Sequence, residues 1–193
     1  LPMTIFDFGR VELVREAATL IMLLAVGWLA GKTIRASFGY AIIAFGLWDI
    51  LYYVFLIPMT GWPRSLLDWD ILFLIPLPWW GPVLAPMLIS TLMIILGTQL
   101  VFHDHLAPRK IAWSLAFIGV WIALYTFMVD SIQVIGGGVE AVRTVLPTSF
   151  NWLLFFVALI LMSAPSLDMV RQLIQSQNFG VTTYPKRMEG DSL

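Results

Sequence analysis

Apolar residues run along this chain in blocks of about 20, and polar residues collect in the short gaps between them. A helix needs about 20 residues to cross the ~30 Å hydrocarbon layer of a bilayer. Five blocks meet or approach that length. They are about Leu13 to Gly31, about Ser37 to Ile57, a third inside Ile71 to Phe102, Ile111 to Val129, and about Thr148 to Ala164. Backbone groups in lipid must be satisfied within the element itself, and no alternating pattern of about ten residues suggests a barrel. The expected fold is therefore all-α: a polytopic integral membrane protein of about five transmembrane helices.

The third block needs division, because the 32 uncharged residues from Ile71 to Phe102 exceed one crossing. Pro76, Pro78, Pro82 and Pro86 fall inside it, and proline is tolerated mainly in a helix's first turn. The third span is thus expected at about Gly81 to Val101. Residues Ile71 to Pro78 become an interfacial or re-entrant segment, with Trp79 and Trp80 at headgroup depth. After the fifth span, Ser166 is placed to cap a helix over Leu167 to Gln177. Leu167, Val170, Leu173 and Ile174 share one face of it, away from Asp168, Arg171 and Gln172, as in an amphipathic helix lying on a membrane surface. Residues after Gly180 read as a mobile tail. The organisation expected is one transmembrane bundle over residues 1–165, then a cytoplasmic amphipathic helix and tail over 166–193.

Composition supports the pattern. Hydrophobic residues make up 60% of the 193 and charged ones 12%, against about 25% charged in soluble domains; the mean hydropathy is +0.88. A net charge of −1 argues against nucleic acid as a partner. The absence of cysteine removes disulfides, thiolate metal sites and thiol catalysis. The chain opens on Leu1, and its first ten residues lack the basic and apolar stretches of a signal peptide.

Charge also orients the chain. Lys32, Arg35, Arg109, Lys110, Arg171, Lys186 and Arg187 fall on one side of a five-span arrangement, and Arg10, Arg15, Arg64 and Arg143 on the other. The positive-inside rule then predicts a multi-pass protein of the cell (inner) membrane, N-terminus outside and C-terminus cytoplasmic.

Candidate chemistry is sparse. Asp49 is the one charge inside the second block, and an intramembrane carboxylate is by default a functional-site hypothesis. Tyr52 and Tyr53, at i+3 and i+4, flank its face and are expected to donate hydrogen bonds to it or to a ligand. The structural alternative is an interhelical hydrogen bond or ion pair, for instance with Arg15, and a structural contact is favoured over a proton relay or ligand-binding carboxylate. Arg64, Asp68 and Asp70 form an outer acidic loop beside Trp62 and Trp69. Two carboxylates at i and i+2 supply too few oxygens for calcium, so a tight interfacial turn, with Arg64 paired to an aspartate, is the simpler expectation. His103 and His105 sit together at one end of the bundle, which excludes bis-histidine haem within the chain. No metal site is expected. Gly27 and Gly31 form a GxxxG that lets another helix approach closely.

No nucleophile elbow, P-loop or dinucleotide fingerprint occurs, which points away from an enzyme. The leading expectation is a non-catalytic integral subunit of a larger membrane complex, with an energy-converting redox assembly in a bacterial membrane as its setting. Its partners would be other membrane subunits and lipids. No cofactor is expected on the chain's own ligands beyond contact with lipid, quinone or pigment. Two alternatives are a small proton-coupled transporter working through Asp49, and a lipid-acting membrane enzyme using Asp49, Asp68 and Asp70.

Overall fold

The computed structural model describes residues 5–74, 77–137 and 149–181. Along them run α1 (Ile5–Ala30), α2 (Ile34–Thr60), β1 (Trp69–Phe73), β2 (Trp79–Pro82), α3 (Leu84–Phe102) and α4 (Lys110–Val134). A 3-10 turn (Ile135–Gly137), α5 (Trp152–Met162) and α6 (Ala164–Val181) follow. Among the described residues four helices are long and apolar enough to cross a membrane: α1 from Val11, then α2, α3 and α4. The pair α5 and α6, bent by 43°, makes a fifth if it is read as one broken span.

Local chemistry explains several of the boundaries. Thr33 caps α2 by accepting the Ala36 N–H at 3.1 Å. Gly61 ends the same helix in the left-handed region, φ 74°, with its N–H returned to the Ile57 carbonyl at 2.8 Å. Asn151 caps α5 through the Leu154 N–H at 3.0 Å.

The fifth span differs from expectation. An 11-residue helix rises only about 16 Å, so α5 alone is too short to cross. The ladder breaks at Ser163 because Pro165 has no N–H to return to Leu161. The bent pair nevertheless reaches from the hairpin to the opposite end of the bundle, since Phe150 packs edge-on to Trp69 of the hairpin while Asp168 reaches Arg109 at the start of α4. The helix begins at Ala164, which leaves Ser166 buried inside it and not at its cap. The tail expected after Gly180 lies, from residue 182, outside the described residues.

The fold is mostly helical, as expected, with one local departure between the second and third helices. There β1 and β2 form an antiparallel hairpin, with Trp69 opposite Pro82, Asp70 opposite Gly81, Ile71 opposite Trp80 and Phe73 opposite Trp79. A register shift separates Ile71 from Phe73. Prolines at 78 and 82 bracket β2 and keep a helical ladder from running through it. The aromatic and branched residues of WDILF and WWGP suit a pleated surface instead. Backbone bonds close the hairpin's base, Val83 N–H to Asp68 C=O at 3.0 Å and Leu84 N–H to Leu66 C=O at 2.8 Å.

Packing follows side-chain size. Helix α2 lies between α1 and α3, and α4 runs along α5. The two groups meet below the hairpin in a cluster of Ala85, Ala123, Phe127, Phe155 and Ala158. Trp79 stacks on Phe127 there, ring centres 6.3 Å apart. At the opposite end Leu96, Leu100 and Leu106 close over Met169 of α6. Gly27 and Gly31 face α2: a Cβ on Gly27 would come 2.5 Å from that of Ala41, and one on Gly31 would collide with the backbone of Ser37. The helix that this GxxxG admits is the chain's own second span.

Candidate functional site: buried carboxylates beneath the hairpin

Polar residues of the bundle gather at the hairpin end, and they do so by helix geometry. Asp49 lies one turn after Gly46, whose missing side chain lets the Ser90 carbonyl of α3 approach; a Cβ there would be 2.6 Å from it. That close approach brings the Ser90 hydroxyl to Asp49, where it donates to Oδ2 at 2.8 Å. Asp49 is 8% exposed and Ser90 1%. One more turn along α2, the Tyr53 hydroxyl donates to Asp70 Oδ2 at 2.9 Å, joining the bundle to β1. Burial pushes the Asp70 carboxyl above its ordinary range, and the bonds from Tyr53 and the Ile71 N–H hold it down only in part.

Glu16 approaches from α1. Its carboxylate, 3% exposed, accepts the Leu74 N–H at 2.9 and 3.1 Å just after β1. From the other side, Ser131 of α4 donates to the Pro78 carbonyl at 2.8 Å, just before β2. The hairpin is thereby fastened to α1, α2 and α4 by one polar side chain each. Glu16 and Ser131 satisfy backbone groups that flank the strands, the Leu74 N–H and the Pro78 C=O, which an apolar surrounding would otherwise leave costly to bury.

Several expected contacts are replaced. Neither tyrosine reaches Asp49: Tyr53 turns to Asp70, and Tyr52, half-exposed, stacks on Trp48 at 6.2 Å. Arg15 pairs with Glu12 on its own helix, with Nε 2.9 Å from Oε2, because a partner one turn away is closer than one across the bundle. The outer loop does not act as a unit. Asp68 Oδ2 accepts the backbone N–H groups of Arg64 at 2.8 Å and Ser65 at 3.2 Å, so it is the main chain of Arg64, not its guanidinium, that binds an aspartate. Asp70 lies on the bundle side, so the two carboxylates have separate partners. Among the described residues no three His, Asp or Glu side chains come together in a way that could hold a metal ion.

No family model, curated protein or solved structure matches this chain.

The remaining polar contacts lie at the other end. Arg35 donates from Nε to the Leu100 carbonyl (3.1 Å) and through its two terminal nitrogens to those of Asp104 (3.2 Å) and His103 (2.8 Å). It thus covers carbonyls at the C-terminus of α3, which carries partial negative charge. Asp168 of α6 receives the Arg109 side chain at 2.8 Å and the Arg109 backbone N–H at 2.9 Å. Gln172 braces the contact through the Ala107 carbonyl at 3.0 Å. The docked side of α6 therefore carries Asp168 and Gln172 together with Met169 and Leu173, and Leu167, Val170 and Ile174 stay exposed. Sequence spacing did not reveal these pairings, because each joins residues far apart in the chain. The available signal was a lone Ser or Glu in an apolar helix, which in lipid seeks a hydrogen-bond partner.

Proposed function

We propose that this chain is a non-catalytic integral subunit of a larger membrane complex. One observation carries the reading: four polar side chains buried near the hairpin end are taken up by contacts between the chain's own elements. Glu16, Tyr53 and Ser131 fasten the hairpin, and Asp49 ties α2 to α3. Around them stand broad exposed apolar faces, such as Val14, Ile21, Trp28 and Leu29 on α1 and Phe117 and Trp121 on α4. Lipids and the helices of neighbouring subunits suit those faces, as would a hydrophobic cofactor such as quinone or pigment. An energy-converting redox assembly of a bacterial inner membrane remains the setting we favour, with the N-terminus outside and the C-terminus cytoplasmic.

Purification from native membranes in a mild detergent, followed by mass spectrometry of the eluted species, tests this. The expected result is co-elution with other membrane proteins in stoichiometric amounts. A lone monomer would overturn the proposal.

A second reading has its own observation. The Asp49 partner is a neutral serine, not a cation, and an intramembrane carboxylate without a counter-ion is the kind that carriers use to bind protons. A proton-coupled transporter would lose uptake in Asp49→Asn while keeping its fold. The subunit reading expects Asp49→Asn to leave complex assembly unchanged.

A further inference from the structure

A groove opens on the membrane flank at the end opposite the hairpin. It lies where the first turns of α2 and α4 meet through an edge-to-face contact of Phe38 and Trp113, ring centres 6.1 Å apart. Its volume is about 470 Å³, and Ile34, Phe38, Leu100, Pro108 and Trp113 form apolar walls, with Arg35 the one charged residue lining it. Small-molecule sites run to roughly 300–1,000 Å³, mostly apolar with a few placed polar groups.

The charged residues nearest in the chain to the groove's α2 and α4 walls are basic. Lys32, two residues before Ile34, and Lys110, one turn before Trp113, are both exposed. Arg35 has three N–H groups on carbonyls, which leaves two of its five donors for another acceptor. The nearby acids do not cancel this: Asp168 is taken up by Arg109, and the Asp104 side chain is fully in solvent next to His105. Basic pockets between membrane helices fit anionic lipid headgroups, and the apolar walls below fit an acyl chain.

We infer that this groove is a binding site for an anionic phospholipid. The phosphate sits between Lys32, Lys110 and the free N–H groups of Arg35, and one acyl chain lies against Phe38 and Trp113. This goes beyond the subunit reading and holds whether or not that reading does.

Brominated acyl chains quench tryptophan on contact, which allows a direct test on the full chain in neutral detergent. Brominated phosphatidylglycerol should quench part of the fluorescence saturably, and brominated phosphatidylcholine should need a higher concentration to do so. Lys32→Ala and Lys110→Ala should each weaken phosphatidylglycerol binding about fivefold and leave phosphatidylcholine unchanged. Trp113→Phe should remove the saturable component, and Ala107→Phe, at a groove-lining position, should block it. The two lysines are exposed, so their variants keep the test valid if an aromatic variant fails to fold. Equal quenching by both lipids would overturn the inference, as would lysine variants that bind like wild type. Quenching that disappears as protein concentration rises would assign the groove to contact between copies of the chain and overturn it too.

Discussion

At the scale of single residues, what decides the role of a buried carboxylate is the donor it faces. Asp49 faces the Ser90 hydroxyl, which has no other use in that part of α3. Removing the donor leaves the carboxylate buried and unsatisfied, which costs roughly 1–3 kcal/mol. Ser90→Ala should therefore lower unfolding stability in detergent by about that amount. Asp49→Asn, whose amide oxygen still accepts from Ser90, should cost much less. Equal stability of Ser90→Ala and wild type would remove the contact from the account.

Asp70 supplies a pH dependence at the same scale. Its folded-state carboxyl titrates above its unfolded value, mainly through burial, so folding favours the protonated form. The sign follows from linkage: this contribution is complete below the unfolded value, about pH 4, and is lost as pH rises through the folded one. Wild type should therefore lose stability relative to Asp70→Asn as pH rises from about 4 toward neutrality. Unfolding midpoints of both proteins against pH would show it, and parallel curves would contradict it.

At the scale of elements, the hairpin separates what was legible in the sequence from what was not. Spans α1 to α4 follow from apolar block length, and they fall within a few residues of expectation because length is a local property. The division of the 32-residue uncharged stretch was legible too, since proline excludes a continuous helix. That the segment before the division pairs as strands was not, because WDILF and WWGP are too short to show a period. The partners of Asp49, Asp70 and Glu16 lie 41, 17 and 58 residues away, beyond any local pattern. The bend at Ser163 could have been read from Pro165, but the apolar count hid it. The hairpin's dependence on α1 is open to measurement. Glu16→Ala should speed hydrogen exchange at Leu74 and its neighbours by about tenfold or more, as expected for a lost bond to a charged group of roughly 1.5–3 kcal/mol. Unchanged exchange there would show that the strands hold without this carboxylate.

At the scale of the whole molecule, the two ends differ in kind. Carboxylates and a hairpin gather at one, and Lys32, Arg35, Arg109 and Lys110 at the other. The proposed orientation puts the basic end in the cytoplasm, where the surface potential is negative. The absence of cysteine makes this easy to check. In intact cells a membrane-impermeant maleimide should label Ser65→Cys, in the loop before the hairpin, and spare Asp104→Cys. The reverse pattern would invert the topology.

The three attachments of the hairpin also have an order in time. A ribosome delivers Glu16, Tyr53 and both strands before it delivers α4, and Ser131 follows Pro78 by 53 residues. At synthesis rates of about 5–20 residues per second, that is a wait of roughly 3–10 s. For that interval the hairpin hangs from α1 and α2 with the Pro78 side unclaimed. The fourth helix thus acts as a latch, and a chain stalled before it would present an open strand edge at the membrane surface.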